Sequence, residues 1–171
     1  MSEDFGQIYD QYVTRIYRFI FLKVPSQEIA EDLCSEVFTK TLQEYRETSI
    51  ANMQAFLYQV ARHVVADYYR QETKIHVVSF EGVEETGPFE DSFIDEIVLR
   101  AEMEEVRKAL AQIRDEYQNL IIWRYLDELS IPEIAQIEGK SEGSIRIGLH
   151  RALDSLRGKM VGQEGVPNVP V

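Results

Sequence analysis

The 171-residue chain is predicted to be all-α, folded as two small helical domains joined by an acidic linker. Three observations predict this. Apolar residues recur at steps of three and four almost everywhere outside residues 74–96, the spacing that lines one side of a helix. No alternating apolar–polar run longer than a few residues appears, and Val77-Val78-Ser79-Phe80 is the one β-like scrap. Residues 74–97 instead hold Gly82, Gly87, Pro88 and an excess of acid, which is the composition of a linker. The predicted divisions are therefore a first domain over 1–73, the linker over 74–97 and a second domain over 98–160. Residues 161–171 have two glycines, two prolines and no periodicity, and are expected to be disordered.

Composition excludes several classes. Hydrophobic residues make up 44% of the chain, enough for a core, so wholesale disorder is ruled out. The single cysteine, Cys34, rules out an intramolecular disulfide framework and a multi-cysteine zinc site. No apolar run approaches the ~20 residues that span a bilayer, so no membrane insertion is expected. The acidic start, MSEDFGQIYD, lacks the apolar segment of a secretion signal, which implies a cytoplasmic protein. No convergent nucleophile–base pair or metal-ligand set is present, and His63, His76 and His150 come with no recognisable triad. The reading is thus of a non-enzyme with no cofactor and no metal.

In the first helix Ile8, Tyr12, Ile16 and Phe19 step by four, four and three. Ser26, after Pro25 and before Glu28, is placed to cap the second helix, whose apolar set is Ala30, Leu33, Val37 and Phe38, leading to Leu42. Its other face is polar and acidic: Glu31, Asp32, Ser35, Glu36 and Thr39. Such a face is usually solvated, and it equally suits a docking partner. Cys34 borders the apolar stripe and reads as a small buried hydrophobe. In the third helix, 52–73, Phe56, Val60, Val64 and Tyr68 are expected to face the core. Tyr58, Gln59, Arg62, His63, Tyr69 and Arg70 are then left on the other sides. Arginine beside exposed aromatics suits single-stranded nucleic acid, where the cation meets phosphate and a ring stacks on an unpaired base. Simple packing of the tyrosines is the competing reading.

After the linker, Leu99, Met103, Val106, Leu110 and Ile113 mark a fourth helix, and residues 115–126 a fifth. Ser130 and Glu133 fit a capping box, with Pro132 in the first turn of a short helix that buries Ile131, Ile134 and Ala135. Gly139 sits where a tight turn needs positive φ. A last helix starts after Ser141, with Ile145, Leu149, Ala152 or Leu153, and Leu156 as its apolar stripe. Its other face carries Ser144, Arg146, Ile147, His150, Arg151 and Asp154. Gly148 interrupts it at a cost of about 1 kcal/mol relative to alanine, and either admits a close backbone approach or is simply tolerated. Short helix, glycine turn and a helix with a mixed basic face form a helix-turn-helix in the C-terminal domain, whose second helix fits a major groove. A helical hairpin with a solvated face is the plainer alternative.

Charge argues for the first of these. The chain carries a net charge of −12, which taken alone opposes nucleic-acid binding. The acid is unevenly placed, however. Residues 74–100 and 101–139 are each net −5, whereas residues 140–171 are net +2. Lys140, Arg146, Arg151, Arg157 and Lys159 fall in one stretch whose only acids are Glu142 and Asp154.

Taken together, these segments resemble the extracytoplasmic-function (ECF) sigma factors of the major bacterial sigma family, over nearly all of residues 5–158. FGQIYDQYVTRIYRFI resembles the family's opening segment, and AEDLCSEVFTKTL its helix that docks on the clamp of core RNA polymerase. AFLYQVARHVVADYYRQ resembles the segment that melts and reads the minus-ten element, and RYLDELSIPEIAQIEGKSEGSIRIGLHRAL the domain that reads the minus-thirty-five element. The resemblance implies a promoter-specificity subunit with core polymerase, promoter DNA and an inhibitory anti-sigma protein as partners. It makes Glu31, Asp32, Ser35, Glu36 and Thr39 the polymerase-facing set. Arg62, His63, Tyr69 and Arg70 become the minus-ten set, and Ser141, Ser144, Arg146, Ile147, His150 and Arg151 the minus-thirty-five set. The acidic linker resembles the family's tether through the polymerase channels. Some positions depart from the usual pattern: Phe56 for tryptophan, His63 for asparagine, Lys140 for an apolar turn residue, and Ile147-Gly148 for a more polar pair. Gln118 stands near a place where arginine is common. A DNA-binding regulator that uses the helix-turn-helix without the polymerase is the alternative function.

Overall fold

The computed structural model describes residues 4–75 and 104–160, which fall into two units. The first holds α1 (Phe5–Phe21), α2 (Gln27–Glu47) and α3 (Met53–Ile75), which pack pairwise as a three-helix unit. The second holds α4 (104–110), α5 (Asp115–Ile121) with a π-helical turn after it (Ile122–Leu126), α6 (Ile131–Glu138) and α7 (Glu142–Met160). The described residues contain no strand, in keeping with the all-α reading. No helix among them is long and apolar enough to cross a membrane. The linker (74–97) and the tail (161–171) lie almost wholly outside the described residues, as do Leu99, Met103 and His76.

Side-chain caps set the helix starts. Asp4 accepts from the Gly6 amide ahead of α1, Ser26 accepts from the Ile29 amide at 3.2 Å, and Asn52 Oδ1 accepts from the Ala55 amide at 3.0 Å. Each cap satisfies an amide that the helix itself leaves without a carbonyl partner, worth about 1 kcal/mol. Ile8, Ile16, Phe19 and Ile20 of α1 meet Ala30, Leu33, Cys34, Val37 and Phe38 of α2 in the core. Tyr12 and Leu42 are only half-buried, at the margin of the apolar stripes that contain them. Thr41 is fully buried and returns its hydroxyl to the Val37 carbonyl at 2.8 Å. Burial pushes the Cys34 thiol up to about 11, so it stays protonated and packs as a small apolar group.

In α3 the buried stripe lies roughly one residue position further around the helix than the sequence pattern implies. Leu57, Tyr58, Ala61, Val64 and Val65 are buried, while Phe56, Val60 and Tyr68 are half-buried. Tyr58, expected on an outer face, is fully buried with its ring edge-on to Phe19 at 5.6 Å.

In the second unit the core gathers around the fully buried Trp123, with Leu110, Ile122, Ile134, Ile137 and Ile145. The fifth helix does not run as an α-helix to residue 126. Beyond Ile121 it widens, with the Asp127 amide reaching back to the Ile122 carbonyl at 2.9 Å and the Leu129 amide to Trp123 at 2.8 Å. The wider turn carries Trp123 inward and Tyr125 outward, and Glu128 then takes a left-handed φ of 57° to turn the chain toward α6. Arg124 closes this corner by donating to the Leu129 carbonyl at 2.9 Å.

Candidate nucleic-acid and partner interfaces

The helix-turn-helix forms as its sequence dictates. Ser130 Oγ accepts from the Glu133 amide at 3.2 Å, and Glu133 returns to the Ser130 amide at 2.7 Å, so the capping box is complete. Gly139 adopts φ 64°, the left-handed stop that glycine takes at least cost. Its amide and that of Lys140 both close on the Ala135 carbonyl. Ile134, Ala135 and Ile137 are buried, whereas Ile131, the first residue of the short helix, is half-buried. Ser141 then caps α7, accepting from the Ser144 amide at 3.2 Å.

Ile145, Leu149, Ala152 and Leu153 seat α7 on the core, with Leu156 half-buried at its margin. A Cβ at Gly148 would stand 2.9 Å from Leu120 Cδ1, so the glycine lets α7 lie close on α5. The opposite face is open: Ser141, Ser144, Arg146, Ile147, His150 and Arg151 are all exposed. Its side chains are unequally engaged. Arg146 reaches Glu142 at 3.4 Å, His150 reaches Asp154 at 3.5 Å and Arg157 reaches Asp154 at 4.0 Å. Arg151 makes no ion pair or hydrogen bond among the described residues. Beside this face lies a cleft of about 320 Å³ between the start of α5, the Gly139 turn and α7, with Arg114, Lys140 and Arg151 among its lining residues.

On α3, Arg62, His63, Tyr69 and Arg70 share one side, because positions seven apart nearly superimpose on a helix. His63, Tyr69 and Arg70 are exposed and Arg62 is half-buried. Arg70 pairs with Asp67 at 2.8 Å. Tyr69 donates its hydroxyl to the Lys23 carbonyl in the α1–α2 connection, yet leaves 44% of its surface in solvent. The ring is thus fixed at its polar tip and open on its body. Tyr68 stands edge-on to it at 5.2 Å, and burial, reinforced by Glu72, raises the Tyr68 phenol above its ordinary value.

On α2, Glu31, Asp32, Ser35, Glu36 and Thr39 are all exposed on one face. Gln27 donates to Glu31 at 2.7 Å, Lys40 pairs with Glu36 at 2.9 Å, and Thr39 returns its hydroxyl to the Ser35 carbonyl at 2.9 Å. The face presents three carboxylates against one paired lysine. Among the described residues no group of three or more His, Cys, Asp or Glu is placed to hold a metal ion.

Sequence reasoning missed several supporting side chains. Gln118 donates to the Leu110 carbonyl at 2.8 Å and to Ile113 at 3.1 Å, closing the end of α4 against α5. Lys23 is buried with its ammonium 5.1 Å from the centre of the Phe19 ring, and holds the carbonyl that Tyr69 uses. Gln118 has no periodic signal, since it acts across a loop, whereas Lys23 sits four residues after Phe19.

The family described as Sigma-70 region 2 matches residues 8–75, and Sigma-70, region 4 matches residues 103–156. Similar proteins include the ECF RNA polymerase sigma factor BldN of Streptomyces coelicolor, 31% identical over 162 residues, or 91% of this chain and 60% of BldN. The chain thus spans less than two thirds of BldN. The ECF sigma factor SigX of Bacillus subtilis is 29% identical over 165 residues, covering 94% of this chain and 85% of SigX. Solved structures share the fold, two of them as follows. CnrH in complex with the cytosolic domain of CnrY has a TM-score of 0.71 at 16% identity, covering 94% of this chain and 89% of CnrH. RpoE in complex with the anti-sigma factor NepR, from Bartonella quintana, has a TM-score of 0.70 at 19% identity, covering 95% of this chain and all of that one.

Proposed function

The chain belongs to the sigma-70 family, within its ECF group, and from that membership we infer that it is a promoter-specificity subunit of bacterial RNA polymerase. One observation carries the reading: region 2 and region 4 occur in order in one chain, each with an exposed polar helix face suited to its task. The acidic face of α2 (Glu31, Asp32, Ser35, Glu36, Thr39) docks on the clamp of core polymerase. Arg62, His63, Tyr69 and Arg70 of α3 meet the minus-ten element. In support, the anchored Tyr69 ring offers a stacking surface for an unpaired base with little ordering left to do, and Arg62 and Arg70 lie beside it to meet phosphate.

Ser141, Ser144, Arg146, Ile147, His150 and Arg151 of α7 face the minus-thirty-five duplex. Cap hydroxyls and amides at the helix start suit phosphate, and side chains further along suit base edges. The acidic linker is the tether through the polymerase channels. Its charge and that of residues 101–139 keep the free chain from binding DNA by itself, so promoter contact follows assembly with the polymerase. The chain performs no chemistry, since nucleotidyl transfer belongs to the polymerase, and it works in the cytoplasm. An anti-sigma partner controls it, in line with the complexes in which its structural neighbours were solved. Run-off transcription with purified core polymerase on genomic DNA is the test. Specific starts sharing two upstream elements are expected, and failure of inhibitor-free protein to bind core polymerase would refute the reading.

A further inference from the structure

The face of α7 carries one side chain that charge does not explain. Ile147 is 57% exposed, the highest value among the exposed large hydrophobic residues of the described chain. It stands one turn after Gly143 and one turn before Arg151, on the same side of the helix. A Cβ at Gly143 would meet nothing within 4 Å, so the backbone there is bare. Arg146 is engaged by Glu142, and His150 and Arg157 by Asp154, whereas Arg151 is not. A surface brought against this side therefore meets bare backbone, then an apolar knob, then an uncompensated guanidinium.

Base edges in the major groove offer hydrogen-bonding groups and one apolar group, the C5-methyl of thymine. We propose that Ile147 packs on the C5-methyl of a thymine in the minus-thirty-five element and so makes promoter choice sensitive to that methyl. Arg151, one turn on, holds the helix in register by bonding a phosphate or a base acceptor beside it. The proposal rests on the reading of the chain as a promoter-specificity subunit. It adds the base that α7 selects and the residue that selects it.

The test uses polymerase reconstituted from core enzyme and the full chain, on a promoter located by mapping transcript starts. Each thymine of the minus-thirty-five element, on either strand, is replaced in turn by deoxyuridine, which lacks only the methyl. At one position the association constant is expected to fall about fourfold, the worth of one buried methyl-sized group. Ile147→Ala is expected to bind the natural promoter about fourfold more weakly and to lose no more at that position, while Ile147→Leu keeps part of the sensitivity. Because Ile147 is exposed, its substitution leaves the melting temperature unchanged, which separates a lost contact from a lost fold. Indifference of the parent chain to deoxyuridine at every position overturns the proposal. So does full methyl dependence in Ile147→Ala, or an element with no thymine on either strand. Failure of the underlying reading looks different: no promoter-specific transcript forms on any DNA, and the proposal falls with it.

Discussion

Helices α2 and α7 are built alike and charged oppositely. Each starts at a serine cap, Ser26 or Ser141, and turns an apolar stripe to its own core while presenting a polar face. On α2 that face holds Glu31, Asp32 and Glu36 with one paired lysine, whereas α7 carries Arg146, Arg151, Arg157 and Lys159 against Glu142 and Asp154. The difference shows why a net charge of −12 is uninformative for this chain. In the proposed function the acidic face serves a protein partner and the mildly basic helix serves DNA, so the sum describes neither. The faces also differ in how they are held. α2 is seated by Leu33, Val37 and Phe38, and α7 by Ile145, Leu149, Ala152 and Leu153, with the absence of a side chain at Gly148 admitting Leu120 as well.

Breaking the two faces separately sharpens this contrast. The largest effect is expected from the double reversal Asp32→Lys and Glu36→Lys, which should weaken binding to core polymerase by roughly 2–4 kcal/mol, because it inverts the charge of the proposed docking face. Helical content should be unchanged. Titration of labelled core enzyme reads the loss, and full retention of binding would remove α2 from the interface.

Next comes Arg151→Ala, expected to cost the assembled polymerase about 1–3 kcal/mol in promoter affinity and nothing in core binding. Arg146→Ala should cost less, since Glu142 already shares that guanidinium. Equal losses would mean that the intrahelical pair is released on DNA. Smaller again is Gly148→Val, expected to destabilise the second unit by about 1–2 kcal/mol through the clash with Leu120 Cδ1, as read by thermal unfolding. It should reduce promoter affinity while leaving core binding intact. Smallest is Gly158→Ala in the same helix, where a Cβ meets nothing within 4 Å; a gain of about 0.5 kcal/mol is expected from backbone entropy alone.

The same pair of helices shows what the sequence makes legible. Faces with one composition per side are read correctly: every expected polar residue of α2 and α7 is exposed. Caps are legible because they depend on local spacing, as at Ser26, Ser130 with Glu133, and Gly139. α3 is harder because aromatics occur on all its sides. Tyr58 and Tyr69 are the same residue type, and only packing against Phe19 or bonding to the Lys23 carbonyl separates core from surface. The π-helical turn at Ile122–Leu126 has no spacing signature either, since it follows from seating Trp123 in a core that other helices complete. Gln118, marked in the sequence only by standing near a place where arginine is common, bonds two carbonyls beyond the end of its own helix, at Leu110 and Ile113. These are tertiary decisions, and periodicity is silent on them.

The central claim is that promoter recognition by α7 depends on the partner that α2 recruits. It is tested most directly by measuring the affinity of one mapped promoter duplex for the purified chain alone and for the chain assembled with core polymerase, in the same salt. The account predicts no promoter preference for the chain alone and sequence-specific binding for the assembly. Equally tight, sequence-specific binding by the chain alone would contradict it and identify a DNA-binding regulator that needs no polymerase.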